Sequence, residues 1–353
     1  MSISDLLNNS FVRWMDAETG PESDIAISSR VRLARNLRMI PFPHLMTPEY
    51  GKKCIREIND AREKNEDKVL GALNTISFDQ ISVIDRQILV EKHLISPGHA
   101  EKSEFFRGLM VNEDGSLAIM VNEEDHLRIQ CFLPGLQIKE AYSLVQQLDD
   151  ALEKRLDFAF DERQGYLTSC PTNVGTGMRA SVMLHLPAIA LSGQTRIIFQ
   201  NINQLGMTVR GLYGEGTEVV GNLFQLSNQI TMGQTEEDII SNLSTIAIQI
   251  IEQERLMRGK LNKEMQYQLE DRIGRSYGVL TNARTLSSNE ALNLLSDVRL
   301  GVDMGIINSI KRFVLNELIV AIRPAHLQKK SGKEMDAFSR DIERAKAVKE
   351  KLL

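Results

Sequence analysis

Residues 117–133 read Leu117-Ala-Ile-Met-Val-Asn-Glu-Glu-Asp-His-Leu-Arg-Ile-Gln-Cys-Phe-Leu133. Two runs of β-formers, 117–121 and 127–133, flank a polar tip, Asn122-Glu-Glu-Asp125. That is the pattern of a hairpin, and a hairpin pairs its strands antiparallel. The expectation is an α+β chain, a largely antiparallel sheet flanked by helices, and not a doubly wound one. The tip sets carboxylates at the end of that sheet, with Arg128 just beyond it.

Working outward, further strands are expected at 25–28, 87–94, 196–200, 207–213 and 222–226, and helices at 48–64, 77–84 and 138–156. After Gly233 the texture changes. Thr235 precedes Asp238 at capping-box spacing, and Ile239, Ile240, Leu243, Ile246, Ala247, Ile250 and Ile251 recur at helical spacing to about residue 257. Arg258-Gly-Lys-Leu261 reads as a link. Helices are expected at 263–273, 288–300 (capped by Ser287 with Glu290), 306–322 and 333–353, with Pro324 dividing the last two. The chain thus divides into 1–257 and an all-helical C-terminal domain, 258–353.

With 353 residues, 42% of them hydrophobic, and a net charge of −5, the chain suits two soluble domains. A mildly acidic protein is a poor general nucleic-acid binder, so any arginine cluster needs a local reason. No apolar run reaches the ~18 residues of a membrane span, and residues 1–10 lack signal-peptide character. Cys54, Cys131 and Cys170 show no metal-ligand spacing and read as reduced thiols, so a cytoplasmic protein is expected.

The chain has no GxxxxGK[ST] loop, no GxGxxG after a strand, and no HRD, DFG, HExxH or GxSxG element. A nucleotide enzyme built this way must neutralise phosphates with scattered arginines, whose forks bind phosphate oxygens in pairs. Arg30 and Arg32 alternate on one strand face. Arg128 follows the acidic tip, Arg179 follows Asn173-Val-Gly-Thr-Gly-Met, and Arg210 opens Arg-Gly-Leu-Tyr-Gly-Glu. Gly175 and Gly177 permit close backbone approach to a bulky anion. Beside these cations, a carboxylate pair suits removal of a proton from a group that attacks a polyphosphate.

Four segments carry a resemblance: Ser28-Ser-Arg-Val-Arg32, Val121-Asn-Glu-Glu-Asp-His-Leu-Arg128, Cys170-Pro-Thr-Asn-Val-Gly-Thr-Gly-Met-Arg-Ala180 and Arg210-Gly-Leu-Tyr-Gly-Glu215. In that order they resemble the catalytic signatures of the phosphagen (guanidino) kinases, over roughly residues 24–255. The resemblance implies a glutamine-synthetase-like catalytic domain that binds Mg2+ and ATP on an antiparallel sheet. It implies nucleotide contacts at Ser28, Ser29, Arg30, Val31, Arg32, His93, Arg128, Arg179, Ala180, Ser181, Val182, Met183, Arg210, Gly211, Leu212, Tyr213 and Gly214. Glu124 matches the carboxylate that orients the guanidinium and takes its proton. Glu123 and Asp125 either bias its basicity or hold magnesium-bound water. Glu215 matches a second clamp found in arginine-specific members. Cys170 matches a cysteine that touches the guanidino group, and Thr172 is placed to hydrogen-bond its sulfur. No metal-ligating side chain is singled out from the sequence.

Members acting on free metabolites carry a helical domain ahead of the segment matching Ser28–Arg32; here that segment begins after 27 residues. An open clamp for an arginine displayed on a protein is therefore expected, and the chain resembles the bacterial protein arginine kinases. Arg340-Asp-Ile-Glu-Arg-Ala345 is similar to their RDxxRA element, which implies an allosteric phosphoarginine pocket at Arg340, Asp341, Arg344 and Ala345. The resemblance further implies a homodimer, a small zinc-binding activator, a Clp-type AAA+ unfoldase that takes the marked proteins, and a heat-shock repressor under control. No direct nucleic-acid or membrane contact is expected. Two other readings stay open: a kinase of free arginine or another small guanidine, and a non-catalytic phosphoarginine-binding adaptor.

Overall fold

The computed structural model describes residues 3–64, 68–101, 104, 106–211 and 220–353. Its strands, in chain order, are β1 Ala26–Arg35, β2 Asn74–Ser77, β3 Gly108–Val111, β4 Leu117–Val121, β5 Leu127–Pro134, the short β6 Phe160–Asp161 and β7 Gly165–Tyr166, then β8 Met178–His185, β9 Met207–Gly211 and β10 Leu223–Asn228. Eight of them form one sheet in the order β2-β3-β4-β5-β1-β8-β10-β9, with every neighbouring pair antiparallel. The hairpin of residues 117–133 is present as β4 and β5.

Alternation gives the sheet two unlike faces. On one, Val31, Leu33, Ile129, Cys131, Ala180, Val182 and Leu226 are buried against the helices Ile138–Glu153 and Glu236–Glu264. Each such aliphatic side chain contributes about 1.5–3 kcal/mol on burial. The other face is polar along its middle. At one end it is closed by a second core, where Trp14, Leu89, Leu94 and Phe132 meet Leu295, Val298, Leu315 and Leu318 of the helices Ser288–Asp303 and Arg312–Ala321. The C-terminal helices therefore close against the sheet and bound its polar face.

Several local expectations are corrected. Residues 87–94 are not a strand: Ser82 and Asp85 form a capping box that starts the helix Val83–Glu91. Residues 77–84 are instead the end of β2 and a 3-10 turn, Phe78–Gln80. Residues 196–200 lie in the helix Thr195–Gln204, where Ile198 and Ile202 are buried four apart while Ile197 stays exposed. Short apolar runs satisfy both periods; a capping box decides for the first helix, while the second has no side-chain cap. Strands β2, β3, β6, β7 and β8 had no counterpart in the expectation. Arg258-Gly-Lys-Leu261 is no link, because the helix Glu236–Glu264 runs through it. Arg258 is buried on Glu254 at 2.9 Å, which offsets the roughly 1 kcal/mol cost of Gly259. The last helices are Arg312–Ala321, Pro324–Ser331 and Ala337–Leu352. Among the described residues no helix is long and apolar enough to cross a membrane.

Candidate active site

Residues directly opposed across an antiparallel pair share a face. Arg128 opposes Ala34, Arg32 opposes both Gln130 and Arg179, and Arg30 opposes Phe132 and Ser181. Ser28 opposes Met183, Met183 opposes Gln225, and Gln225 opposes Arg210. The register thus puts all five arginines on the polar face. By the same rule the side chains of Ser29, Val31, Ala180 and Val182 turn to the core, away from the polar face. The Ser29 hydroxyl donates to the Gly135 carbonyl at 2.8 Å and accepts from the Gln137 amide at 2.9 Å. Gly211 ends β9 opposite Phe224, also on the core side. Leu212, Tyr213, Gly214 and Glu215 lie outside the described residues.

A cleft of about 380 Å³ opens on the polar face, lined by Ser28, Arg30, Arg32, His93, Ser181, Met183 and Arg210. Gln130, Phe132, Ser96, Glu91, Arg323 and Pro324 also line it, and none had been expected. Gln130 and Phe132 alternate with Arg128 on β5, so the spacing rule that singles out Arg30 and Arg32 reaches them too. Arg323 and Pro324 carry no local signal; the tertiary closure of the C-terminal helices delivers them. His93 is left-handed, with φ 62°, just past the Val83–Glu91 helix, and not on a strand as expected. Its ring lies 5.7 Å from Trp14 and 6.1 Å from Phe132. Burial, then the charges of Arg30 and Arg323, hold it down to about 3, so it is a neutral ring at physiological pH.

The cations are crowded. Burial and Arg128 lower Arg30 to about 10, and burial, Arg30 and Arg128 bring Arg32 well below the usual guanidinium range. Burial and Arg210 lower Arg179 as well. One carboxylate, Glu123, grips the group through Arg128. A half-buried set of forks with so little compensation fits a polyphosphate, whose oxygens accept paired charge-assisted bonds.

At the tip the three acids separate in role. Glu123 pairs with Arg128 and accepts from the Ser96 hydroxyl at 2.6 Å. Burial alone raises its carboxyl, but Arg128 and these bonds outweigh that and bring it to about 2. Asp125 is fully buried and structural, its Oδ1 accepting from Asn36 Nδ2 at 2.6 Å and from the Ser169 amide at 2.7 Å. That second bond ties the tip to the loop carrying Cys170. Glu124 alone stays partly open, with its Oε2 3.9 Å from Arg128. Burial raises its carboxyl, Arg128 opposes this, and Asp125 and Glu123 raise it further. Burial, before any neighbour, therefore makes it the more basic carboxylate, with Arg128 and Arg32 pulling the other way. Cys170 Sγ lies 3.1 Å from the Thr172 hydroxyl, which is also 3.1 Å from Arg179 Nη2. The sulfur and the cation row share that hydroxyl.

Gly175 and Gly177 are left-handed, with φ 111° and 66°, but what approaches them is the chain itself. A Cβ there would lie 2.4 Å from the Thr231 oxygen and 2.7 Å from the Ala34 oxygen. Close packing of the 170–177 loop, and not contact with an anion, explains both. Far from the tip, Arg340 is half-buried on the helix Ala337–Leu352. Arg344 is buried, donating from Nε to the Ile322 carbonyl at 2.9 Å and from Nη1 to the Leu286 carbonyl at 2.7 Å, and it pairs with Asp341. Ala345 is buried in the second core. The structure thus uses Arg344 and Asp341 on each other and on the backbone, leaving Arg340 as the more accessible cation of the four positions. Among the described residues no group of three or more His, Cys, Asp or Glu side chains could hold a metal. Magnesium at such a site is usually held by substrate phosphates, waters and at most one or two carboxylates.

Residues 53–257 match the family model of the ATP:guanido phosphotransferase C-terminal catalytic domain, and residues 266–353 match that of the protein-arginine kinase McsB C-terminal domain. A protein-arginine kinase of Syntrophomonas wolfei is 65% identical over 352 residues, covering 100% of this chain and 98% of the relative. One from Desulforamulus reducens is 52% identical over 353 residues, with 100% and 98% covered. Among solved structures, lombricine kinase superposes with a TM-score of 0.60 at 22% identity, over 70% of this chain and 72% of its own, a likeness of fold.

Proposed function

We propose, for a chain that belongs to the ATP:guanido phosphotransferase family, that the acceptor is the guanidinium of arginine residues in proteins. The observation that carries this is Glu124: a partly open carboxylate, raised above its ordinary value by burial, at the end of a half-buried row of arginines. A guanidinium is almost never deprotonated in water, so transfer needs its proton removed as the nitrogen attacks. Glu124 takes that proton, the nitrogen–phosphorus bond forms, the bond from the γ-phosphorus to the β-phosphate oxygen breaks, and ADP leaves. Arg30, Arg32, Arg128, Arg179 and Arg210 hold the phosphates, and positioning supplies much of the rate for a loose phosphoryl transfer. Bound with ATP, magnesium neutralises charge on the phosphate oxygens.

Cys170 and Glu215 complete the guanidinium contact in this reading. It extends to a phosphoarginine pocket at Arg340, Asp341, Arg344 and Ala345, a cytoplasmic homodimer, a small zinc-binding activator, delivery of marked proteins to a Clp-type AAA+ unfoldase, and control of a heat-shock repressor. These rest on the family resemblance. The test offers ATP with either free L-arginine or an arginine-rich protein and avoids acid, so that the phosphorus–nitrogen bond survives. Acid-labile phosphate on protein arginines is expected; phosphate on the free amino acid alone overturns the proposal.

A further inference from the structure

The ATP cleft has a wall that the catalytic sheet does not supply. Arg323 and Pro324, at the joint between the helices Arg312–Ala321 and Pro324–Ser331, line it together with Glu91 and His93. The joint is held from two sides. The Glu91 carboxylate accepts from the amides of Ala325 at 2.8 Å and His326 at 3.0 Å, fastening the helix start to the end of the Val83–Glu91 helix. On the other side, Arg344 donates to the carbonyl of Ile322, the residue before Arg323.

The joint faces one end of the cleft. Arg128 opposes Ala34, and Arg30 stands four residues along the same strand, about 13 Å away at 3.3 Å per residue. Phe132, the partner of Arg30, packs beside His93, and His93 lies within electrostatic reach of Arg323. The reacting end is at Glu124 and Arg128, so Arg323 stands at the opposite end, where the nucleoside sits if the γ-phosphate is to meet Glu124. A guanidinium offers five donors and no acceptor, which suits an α-phosphate, ribose oxygens or purine ring nitrogens.

We infer that Arg323 is a nucleotide-binding residue contributed by the C-terminal helices, contacting the nucleoside end of ATP, with Glu91 and Arg344 as its positioning residues. This rests on the assignment of the cleft to ATP. It makes nucleotide affinity a property of the whole chain, because a shift of the last helices moves a cation that touches the ligand.

Calorimetric titration of the full chain separates the possibilities. Arg323→Ala weakens ATP, ADP and AMP by a common factor of about ten, the size of one lost charge-assisted hydrogen bond. Arg323→Lys, keeping charge without the fork, falls between the variant and the parent. In the unmodified protein, ATP slows amide hydrogen exchange at Ala325 and His326, a readout independent of any variant's folding. Equal affinities in the parent and folded Arg323→Ala, a loss confined to ATP, or unprotected amides at the joint would each overturn the inference. Absence of nucleotide binding by the parent would instead overturn the assignment of the cleft.

Discussion

Two clusters of arginines in this molecule are treated in opposite ways. In the cleft, Arg30 and Arg32 make no ion pair among the described residues, and burial with like-charged neighbours lowers the pKa of each. Beneath the C-terminal helices, Asp303 sits among three arginines, 2.6 Å from Arg312 and 3.6 Å from both Arg258 and Arg299. Glu254 adds a second contact to Arg258 at 2.9 Å. The second cluster sets two carboxylates against three arginines, so most of its charge is met from within. The first is a deficit of negative charge that a polyphosphate completes. Burial of a cation says little about its role until its partners are counted.

The widest break of that comparison is Asp303→Ala. It leaves buried guanidinium groups without their shared carboxylate, at an expected cost of about 3–5 kcal/mol in unfolding free energy. Chemical denaturation measures it. Arg32→Gln should show the reverse profile. ATP affinity drops about a hundredfold as charge-assisted bonds are lost, while the melting temperature stays at or above that of the parent, since an uncompensated buried cation is gone. If Asp303→Ala melts like the parent, or Arg32→Gln melts far below it, the two clusters do not differ as described.

The contrast also marks how far the sequence could be read. Arg30 and Arg32 two apart, and Arg128 after a hairpin tip, are period-two facts, and the sheet honours them. The same rule, continued along β1 and β8, turns Val31 and Val182 away from the cleft; those positions were drawn in by motif and not by spacing. Helix and strand were confused where an apolar run was short, as at 87–94 and 196–200, because both surfaces there are partly buried. The joint bearing Arg323 was illegible for a different reason. Nothing in Ile322-Arg-Pro324 states that Glu91, more than 200 residues earlier, will receive its amides. The Asp303 cluster was equally silent, its arginines spread over three segments between residues 258 and 312. Local patterns fix faces; long-range ion pairs and closures need the folded chain.

The smallest expected effect sharpens the comparison at Glu124, the partly open carboxylate 3.9 Å from Arg128. Glu124 must be unprotonated to accept the guanidinium proton, so activity falls as pH drops through its pKa. That pKa stands above the ordinary range through burial, against the pull of Arg128, with the charges of Asp125 and Glu123 raising it further. Asp125→Asn removes one of those charges and keeps an oxygen able to accept from Asn36 and Ser169. Glu124 then titrates lower, and the acid limb of kcat/KM moves to lower pH. Plateau kcat falls slightly, because a weaker base is a poorer proton acceptor. A pH–rate profile of the variant beside the parent reads both. A limb that stays in place would mean that Asp125 acts on Glu124 through the shape of the tip alone, and a limb that moves to higher pH would remove Glu124 from the role of base.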